Sequence, residues 1–396
     1  MRFKKFLIVL VFFSLLLLVG VSPPPEDSLY SQFRLFAKVI AIIQQDYVEE
    51  VKVKDLIVGA LKGMLSNLDP YSQFMTPREY KEMKIETEGK FGGVGMVITS
   101  REGVITVVSP IEDTPAFRAG IKPGDRIIEI DGESTKGWTT WKAAQKLRGK
   151  PGTEVTIKVW REGESELLTI TLRREIIEIK SVKGPEKIKE GIFYIRITAF
   201  REGTTQELKE ALSKAKKEGM EYLILDLRNN PGGLLDEAVK VADLFLPQEK
   251  LVVYTQGRRK EVEKNYYSAN PPFLKLDNPI IVLVNRGSAS ASEIVSGALQ
   301  AWKKGILVGE KTFGKGSVQS ILPVNKEYHL RLTTAHYYTP GGKNIEGKGL
   351  EPDVKISLTE KEEKSMEEAW MKGELDKDVY IRKALQIIEG ERVEQG

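Results

Sequence analysis

Residues 280–293 read IIVLVNRGSASASE, an apolar run that leads through a turn of small residues into a predicted helix. A serine at such a strand-to-helix junction exposes its hydroxyl, and the N–H of the next residue can stabilise a developing oxyanion. Ser290 and Glu293 also fit the S-x-x-E capping box, so this serine could serve only to cap the helix. The residues alone leave three candidate nucleophiles open: Ser288, Ser290 and Ser292.

The alternation of strand and helix continues on both sides of this stretch. Strands are predicted over 193–197, 222–227, 280–285 and 306–310, and helices over 205–218, 234–244 and 292–303. Strands that alternate with helices are typical of an α/β fold in which loops at the strand ends carry the chemistry. The sequence therefore predicts an α/β core from Gly191 onward, followed by a charged helical tail.

A second strand-to-helix turn lies over residues 226–233, which read DLRNNPGG. Two glycines at the start of a helix let consecutive N–H groups point at one anion, as in sites for oxyanions and phosphates. Asn, Pro and Gly are also the ordinary residues of tight turns, so the motif by itself is more often a plain turn.

A third segment, residues 309–319, reads GEKTFGKGSVQ and contains a lysine between glycines. It follows the phosphate-loop pattern G-x-x-x-x-G-K only up to Lys315, because Gly316 stands where Ser or Thr would hold magnesium. Nucleotide binding is therefore a weak alternative. A second alternative is that Lys315 is simply an exposed loop lysine, which is commoner than a catalytic one. A buried lysine can act as general base if its pKa falls from about 10.4 to near neutrality, at a cost of about 4 kcal/mol. Gln319 is a suitable neutral residue to orient such an amine.

Short strand patterns separated by turns fill residues 89–174, with one predicted helix over residues 139–147. About ninety residues of this kind indicate a small β-rich module. Before it, residues 29–83 show apolar residues at helical spacing, which predicts an amphipathic helical lead-in.

The composition indicates a globular protein. Its 396 residues suggest about two or three domains, with 41% apolar and 29% charged residues. Cysteine is absent, which excludes disulfides, thiol nucleophiles and thiolate metal sites. The only histidines are His329 and His336, so we expect a site without metal or histidine catalysis. The net charge of +4 is too small to indicate nucleic acid as the main partner.

The N-terminus predicts export. A basic flank over residues 2–5 precedes an apolar run over residues 6–21, and prolines follow at 23–25. That run would form a helix of about 24 Å, shorter than the hydrocarbon core of about 30 Å, which favours a signal segment over a membrane span. Cleavage or retention as an anchor stays open. Either outcome places the rest of the chain in the periplasm or on the extracytoplasmic face of the inner membrane.

Four motifs in order resemble the carboxyl-terminal processing peptidases, also called tail-specific proteases. They lie at 226–233, 287–293, 311–319 and 338–353, and the match covers nearly the whole chain. Each motif is weak by itself, but four in register are specific. The resemblance implies a serine endopeptidase with a crotonase-like α/β core and a Ser-Lys dyad that uses no cofactor.

The resemblance also assigns roles to residues. It makes Ser290 the nucleophile, Lys315 the general base and Gln319 the residue that positions the lysine. The oxyanion hole would use the N–H of Ala291 together with that of Gly232 or Gly233.

The module over residues 89–174 resembles the PDZ domain of these peptidases. Its carboxylate-binding loop would be residues 91–95, and the strand that follows would bind a substrate tail by β-augmentation. The binding residues are predicted to be Gly92, Gly93, Val94, Gly95 and Met96. A glycine cluster before a strand is otherwise typical of a bulge or hairpin. Arg148 is assigned to coupling between tail binding and the active site.

The predicted organisation has five parts: 1–25, signal or anchor; 26–84, helical segment; 85–175, PDZ domain; 176–358, peptidase core; 359–396, helical tail. The predicted function is an exported endopeptidase that binds the C-terminal tail of a protein substrate and cleaves near that end. The main alternative is a PDZ scaffold with a catalytically silent peptidase fold. Membrane association through the N-terminal segment and a homodimer through the helical termini are further expectations.

Overall fold

The computed structural model describes residues 28–101, 103–111, 113–359, 362 and 374–395. The chain divides into two compact units, Met1–Thr76 and Pro77–Gly396. The predicted targeting segment, residues 1–25, lies outside the described residues. Within the described ranges, no helix has both the length and the apolar character needed to cross a membrane.

The first unit contains part of the predicted helical segment. Helix α1 (Leu29–Asp46) is capped by the Ser28 side chain, and helix α2 (Val53–Ser66) is followed by the short strand β1 (Gln73–Met75). No residue of α1 is buried, and α2 buries only Leu65. The apolar faces that predicted these helices therefore remain largely exposed.

The second unit begins with helix α3 (Pro77–Glu88) and strand β2 (Lys90–Gly93). The β-rich module follows as β3 (Met96–Arg101), β4 (Val104–Pro110), α4 (Pro115–Arg118), β5 (Arg126–Ile130), β6 (Glu133–Ser134), α5 (Thr140–Leu147), β7 (Glu154–Trp160) and β8 (Leu168–Arg173). Its sheet has the order β3-β4-β5-β7-β8, with antiparallel neighbours and with β6 paired to β5. The module has a hydrophobic core of its own, to which every second residue of β7 contributes: Val155, Ile157 and Val159.

The chain enters and leaves this module through two paired strands. Strand β9 (Glu175–Glu178) pairs antiparallel with β2, and Gly93 lies opposite Glu175. The strand that was predicted to follow the carboxylate-binding loop starts at Met96. The β-rich module is thus an insertion whose two ends lie side by side.

The α/β core completes the second unit. Its elements are β10 (Val182–Lys189), β11 (Ile192–Ile197), α6 (Thr204–Lys217), β12 (Tyr222–Asp226), α7 (Leu235–Asp243), β13 (Leu251–Gly257), β14 (Lys264–Tyr267), β15 (Ile280–Val284), α8 (Ala291–Ala301), β16 (Gly305–Gly309), β17 (Ser317–Pro323), β18 (His329–Tyr338), β19 (Val354–Lys355) and α9 (Val379–Gln395). The central sheet has the order β10-β11-β12-β15-β16-β19, and every pair except β10/β11 is parallel. Within the same unit, β17, β18, β13 and β14 form an antiparallel sheet.

Strands β11, β12, β15 and β16 of the central sheet are buried on both faces, which explains why their sequences are almost continuously apolar. On β11, Phe193 and Ile195 face the core formed with α6, α7 and α8, whereas Ile192 and Tyr194 face the core formed with α9. This arrangement agrees with the predicted alternation of strands and helices.

Candidate active site

Three loops that follow neighbouring parallel strands form the candidate site. Strands β12, β15 and β16 are adjacent in the central sheet, so their carboxyl ends lie at the same edge. The loop after β12 contains the glycine turn (residues 226–233), and the loop after β15 contains the serine turn (residues 287–293). The loop after β16 contains Lys315. The three motifs of the sequence therefore come together through sheet topology.

Of the three serine side chains in the serine turn, two are buried and one is partly exposed. Ser288 Oγ donates to the carbonyl of Leu227 at 2.8 Å, and Ser292 Oγ donates to that of Asn230 at 2.9 Å. Both serines are fully buried, whereas Ser290 is partly exposed. Ser290 has φ 55° and ψ −114°, a strained conformation that residues other than glycine seldom adopt. Of the three serines, Ser290 is thus the one placed to meet a substrate.

Glu293 joins the serine turn to the lysine loop. Its Oε2 accepts the N–H of Ser290 and the N–H of Lys315, both at 2.9 Å. Its Oε1 accepts the N–H of Gly314 at 2.8 Å and the hydroxyl of Thr312 at 2.5 Å. Burial raises the pKa of Glu293, and these four bonds oppose that shift. Because every partner is a donor, we expect the carboxylate to be ionised.

The predicted capping box between Ser290 and Glu293 is present. The carboxylate that caps the helix is also the group that fixes the backbone of Lys315. The capping role and the predicted role of Ser290 as nucleophile are therefore compatible at this turn.

The glycine turn lies against the serine turn. A Cβ atom at Gly232 would lie 2.8 Å from Ser290 Cβ and 2.9 Å from Ala291 N, so a side chain does not fit there. The Gly232 N–H donates to Asn230 Oδ1 at 2.9 Å. Among the described residues, the N–H groups of Gly233 and Ala291 donate to no protein acceptor. These two N–H groups are therefore available to an oxyanion.

Lys315 is half-buried, in surroundings that favour the neutral amine. Burial lowers the pKa of Lys315, Arg331 lowers it further by charge repulsion, and Glu346 and Glu293 act in the opposite direction. Since an ordinary lysine has a pKa of about 10.4, the net lowering increases the fraction of neutral amine near neutral pH. Glu346 also accepts the N–H of Gly316 at 2.7 Å and so holds the loop next to the lysine.

Gln319 lies on β17, in the sheet that follows the lysine loop. Its Nε2 donates to Ser317 Oγ at 3.1 Å and to Thr333 Oγ1 at 3.3 Å. These bonds fix the side-chain amide, and the positioning of Lys315 by Gln319 stays a prediction.

A buried ionic network behind the glycine turn was not anticipated from the sequence. Arg228 Nη2 lies 2.7 Å from Asp226 Oδ2 and 2.8 Å from Asp378 Oδ2, and all three side chains are almost fully buried. Tyr194 donates its hydroxyl to Asp226 at 2.7 Å. Burial acts to raise the pKa of Asp226, but the adjacent Arg228 brings it below the ordinary value. The only sign of this network in the sequence is the pair of opposite charges, Asp226 and Arg228, at the end of the apolar strand β12.

Tyr337 is a further site residue for which the sequence gives no signal. Its hydroxyl donates to the carbonyl of Ser290 at 3.1 Å and to the carbonyl of Lys315. It adjoins the motif over residues 338–353, but an apolar strand pattern gives no indication of such a contact.

The predicted peptide groove of the β-rich module has a free strand edge. In the described part of the chain, β3 pairs with β4 alone, so its other edge can accept a further strand. The predicted carboxylate loop is shorter than residues 91–95, because Phe91, Gly92 and Gly93 belong to β2 and pair with β9. Only Val94 and Gly95 connect β2 to β3.

Arg148 directly follows helix α5. Its guanidinium lies 4.8 Å from the centre of the Phe91 ring, and the neighbouring Gly149 N–H donates to the Gly92 carbonyl at 3.0 Å. Arg148 therefore lies beside β2, the strand through which the chain enters the module.

Comparison with known proteins identifies three segments. Residues 191–356 match peptidase family S41, residues 106–161 match the PDZ domain, and residues 22–78 match the activating protease CtpB N-terminal domain. These matches agree with the predicted peptidase and with the mixed α/β class that includes a PDZ domain, and both predictions are confirmed.

Relatives were found along most of the chain. A carboxy-terminal-processing protease of Bartonella bacilliformis is 41% identical over 358 residues, 89% of this chain and 82% of that protein. A probable CtpA-like serine protease of Staphylococcus saprophyticus is 38% identical over 321 residues, 81% of this chain and 64% of that protein. A solved photosystem II D1 C-terminal processing protease is 28% identical with a TM-score of 0.48, covering 84% of this chain and 88% of that one. From the extent of the Bartonella match, this chain belongs to the carboxy-terminal-processing proteases, serine peptidases of family S41.

Proposed function

We propose that this chain cleaves protein substrates near their C-termini with a Ser290–Lys315 dyad, after its PDZ domain has bound the substrate tail. The observation that carries this proposal is the contact of both residues with one buried carboxylate oxygen, Glu293 Oε2, at 2.9 Å each. A shared anchor holds the serine and lysine backbones close together, although the two residues lie in different loops.

The reaction follows from the groups in the site. Ser290 Oγ attacks the substrate carbonyl carbon while its proton passes to the neutral Nζ of Lys315. The N–H groups of Gly233 and Ala291 stabilise the resulting oxyanion. Protonated Lys315 then gives its proton to the departing amine nitrogen as the C–N bond breaks, which leaves an ester on Ser290. A water molecule, deprotonated by Lys315, hydrolyses that ester and restores the serine.

The PDZ domain supplies the preference for chain ends. The free edge of β3 binds an extended tail, and the backbone N–H groups around Val94, Gly95 and Met96, at the start of β3, are proposed to hold the terminal carboxylate. Arg148, beside β2, is the proposed link between tail binding and the peptidase core.

The proposed location is outside the cytoplasm. The basic flank and apolar run over residues 2–21 support export through the membrane, with the segment either removed or kept as an anchor. Replacement of residues 6–21 by a polar linker should leave the protein in the cytoplasm. Cell fractionation of the two forms tests this, and an unchanged distribution would refute it.

Self-association is proposed through the first unit. Helix α1 exposes a series of apolar side chains that includes Leu29, Phe33, Leu35 and Val39. Such a face is buried if two copies pair. Light scattering should detect a dimer that Phe33→Glu disrupts, whereas a monomer in both forms would contradict the proposal.

The dyad is tested by cleavage of an unfolded protein with a free C-terminus. Ser290→Ala and Lys315→Ala should each lower kcat by about 10⁴-fold or more. Lys311→Ala is the matched control, because Lys311 is an exposed surface residue paired with Glu351 at 3.1 Å, and it should retain full activity. Equal turnover by all four proteins would refute the dyad.

The state of the lysine is tested by labelling with a serine-reactive phosphonate across a pH series. The rate should fall as Lys315 becomes protonated, with an apparent pKa well below that of a free lysine. Ser290→Ala should remain unlabelled. A labelling rate that is independent of pH would remove Lys315 as the base.

A further inference from the structure

Tyr337 contacts both residues of the proposed dyad through their backbone carbonyls. Its side chain is 1% exposed, and its hydroxyl donates to Ser290 O at 3.1 Å and to Lys315 O. Strand β18 holds the residue firmly, since Tyr337 lies opposite Thr255 of β13 and donates its N–H to Gly316 O at 2.8 Å. A strand within a sheet therefore carries one hydroxyl to both the serine turn and the lysine loop.

The contacts of Tyr337 complement those of Glu293. Glu293 accepts the N–H groups of Ser290 and Lys315, and Tyr337 donates to the carbonyls of the same two residues. The lysine loop needs such support because glycines lie on both sides of Lys315, and glycine favours many backbone conformations. Each of the two residues is thus held at both its N–H and its carbonyl.

We propose that Tyr337 is a positioning residue that sets the separation between the nucleophile and the general base, an inference that rests on the proposed Ser-Lys dyad. One phenolic hydrogen shared by two carbonyls joins the serine and lysine loops at a second point. A displacement of about 1 Å between reacting groups can lower a rate about 100-fold, so one buried hydroxyl can matter for turnover. In this proposal the Tyr337 hydroxyl acts through the two dyad residues and not on the substrate.

A simpler explanation is that a buried phenol needs an acceptor. One carbonyl would satisfy that need, yet both acceptors here belong to the two residues of the dyad. The two explanations differ in what they predict. If the hydroxyl only needs an acceptor, its removal should lower the stability of the protein and nothing else. If the hydroxyl positions the dyad, its removal should lower kcat and change the pH at which Lys315 is protonated.

The test compares full-length Tyr337→Phe with the matched control Tyr338→Phe. Tyr338 is the next residue, and its ring stacks on Tyr254 at 5.0 Å, away from the dyad. We expect Tyr337→Phe to lower kcat per titrated active site by about 10- to 100-fold, with little change in KM. The acid limb of the pH profile of kcat should also move to higher pH in this variant. A less restrained Lys315 reaches water or Glu346 more easily, and both contacts favour its protonated form. Tyr338→Phe should match the wild type in both measurements.

Three results would overturn the proposal. The first is a kcat of Tyr337→Phe equal to that of Tyr338→Phe. The second is a lower kcat of Tyr337→Phe without a shift of the acid limb of its pH profile, and the third is a change in KM alone. Ser290→Ala, assayed alongside, separates the two hypotheses, because activity in that variant would refute the dyad itself.

If Tyr337→Phe does not fold, a fluorinated tyrosine at position 337 keeps the size and the donor of the native side chain. Its phenol ionises nearer to neutral pH, so the hydroxyl loses its hydrogen as the pH rises. We expect kcat to fall at alkaline pH when the analogue replaces Tyr337. We expect no such fall when the same analogue replaces Tyr338. Identical profiles for the two positions would overturn the proposal.

Discussion

At the scale of single residues, one buried carboxylate connects the serine turn to the lysine loop. Glu293 is fully buried and accepts hydrogen bonds from both the serine turn and the lysine loop. The sequence shows it only as the last residue of a capping box. The helix cap is also the structural link between Ser290 and Lys315, the proposed nucleophile and the proposed base.

Substitution of Glu293→Gln should lower kcat about 100-fold, because the amide NH₂ would face N–H donors in place of an acceptor oxygen. KM should change little. Glu237→Gln is the matched control, since Glu237 is a buried carboxylate that accepts the N–H and the hydroxyl of Thr205, both at 2.8 Å. It should lower stability but not kcat per titrated site. Equal losses of kcat in the two variants would contradict a specific role for Glu293.

The pH dependence of kcat/KM should respond in opposite directions to the two charges near Lys315. Protonated Lys315 cannot accept the serine proton, so activity rises with pH through the lowered lysine pKa. Arg331 lowers that pKa, so Arg331→Met should move the acid limb to higher pH. Glu346 raises it, so Glu346→Gln should move the limb to lower pH while the amide oxygen still accepts the Gly316 N–H. Shifts of the same sign in the two pH–rate profiles would refute this account.

At the scale of elements, helix α9 supports the glycine turn from behind. Asp378 caps the start of α9, where it accepts the N–H of Tyr380 at 2.8 Å, and it also pairs with Arg228. Arg228 in turn holds Asp226, at the end of β12. A helix near the end of the chain thereby stabilises a loop about 150 residues earlier in the sequence.

The variant Asp378→Asn should lower the free energy of unfolding by about 2 kcal/mol, because a buried charge-assisted bond to Arg228 becomes a neutral one. Asp376→Asn, two residues earlier and exposed, should have almost no effect. Urea unfolding of both variants provides the measurement. Equal stabilities would show that the ionic network does not hold α9 in place.

At the scale of the whole molecule, the PDZ domain is an insertion with its own core. Its buried residues form a cluster separate from those of the peptidase core, and its two ends meet where β2 pairs with β9. This arrangement makes the domain removable in principle without a change in the peptidase fold.

Replacement of residues 94–174 by a two-residue Asn-Gly turn should preserve the paired strands β2 and β9, because such a turn suits an antiparallel hairpin. The shortened protein should cleave a peptide with a free C-terminus and its amidated form at equal rates. The full-length protein should prefer the free carboxylate. A preference that survives the deletion would show that the tail is recognised elsewhere.

The sequence by itself determined the order of elements and the chemistry that was available. Continuous apolar strands, amphipathic helices and the residues between them predicted an α/β core, and the lack of cysteine and near lack of histidine directed attention to serine and lysine. Those signals are local, since each depends on the spacing of a few neighbouring residues. They could be read without knowing which strands are adjacent.

Apart from the family resemblance, nothing in the sequence says which local motifs lie together, and the tertiary structure decided this by its contacts. It separated Ser290 from Ser288 and Ser292 by burial, joined Ser290 and Lys315 through Glu293 and Tyr337, and placed Asp378 behind the glycine turn. It also shows that Phe91, Gly92 and Gly93, which were expected in the carboxylate-binding loop, belong to strand β2. Contacts between residues far apart in the chain depend on strand order and close packing, and no spacing within the sequence specifies either of these.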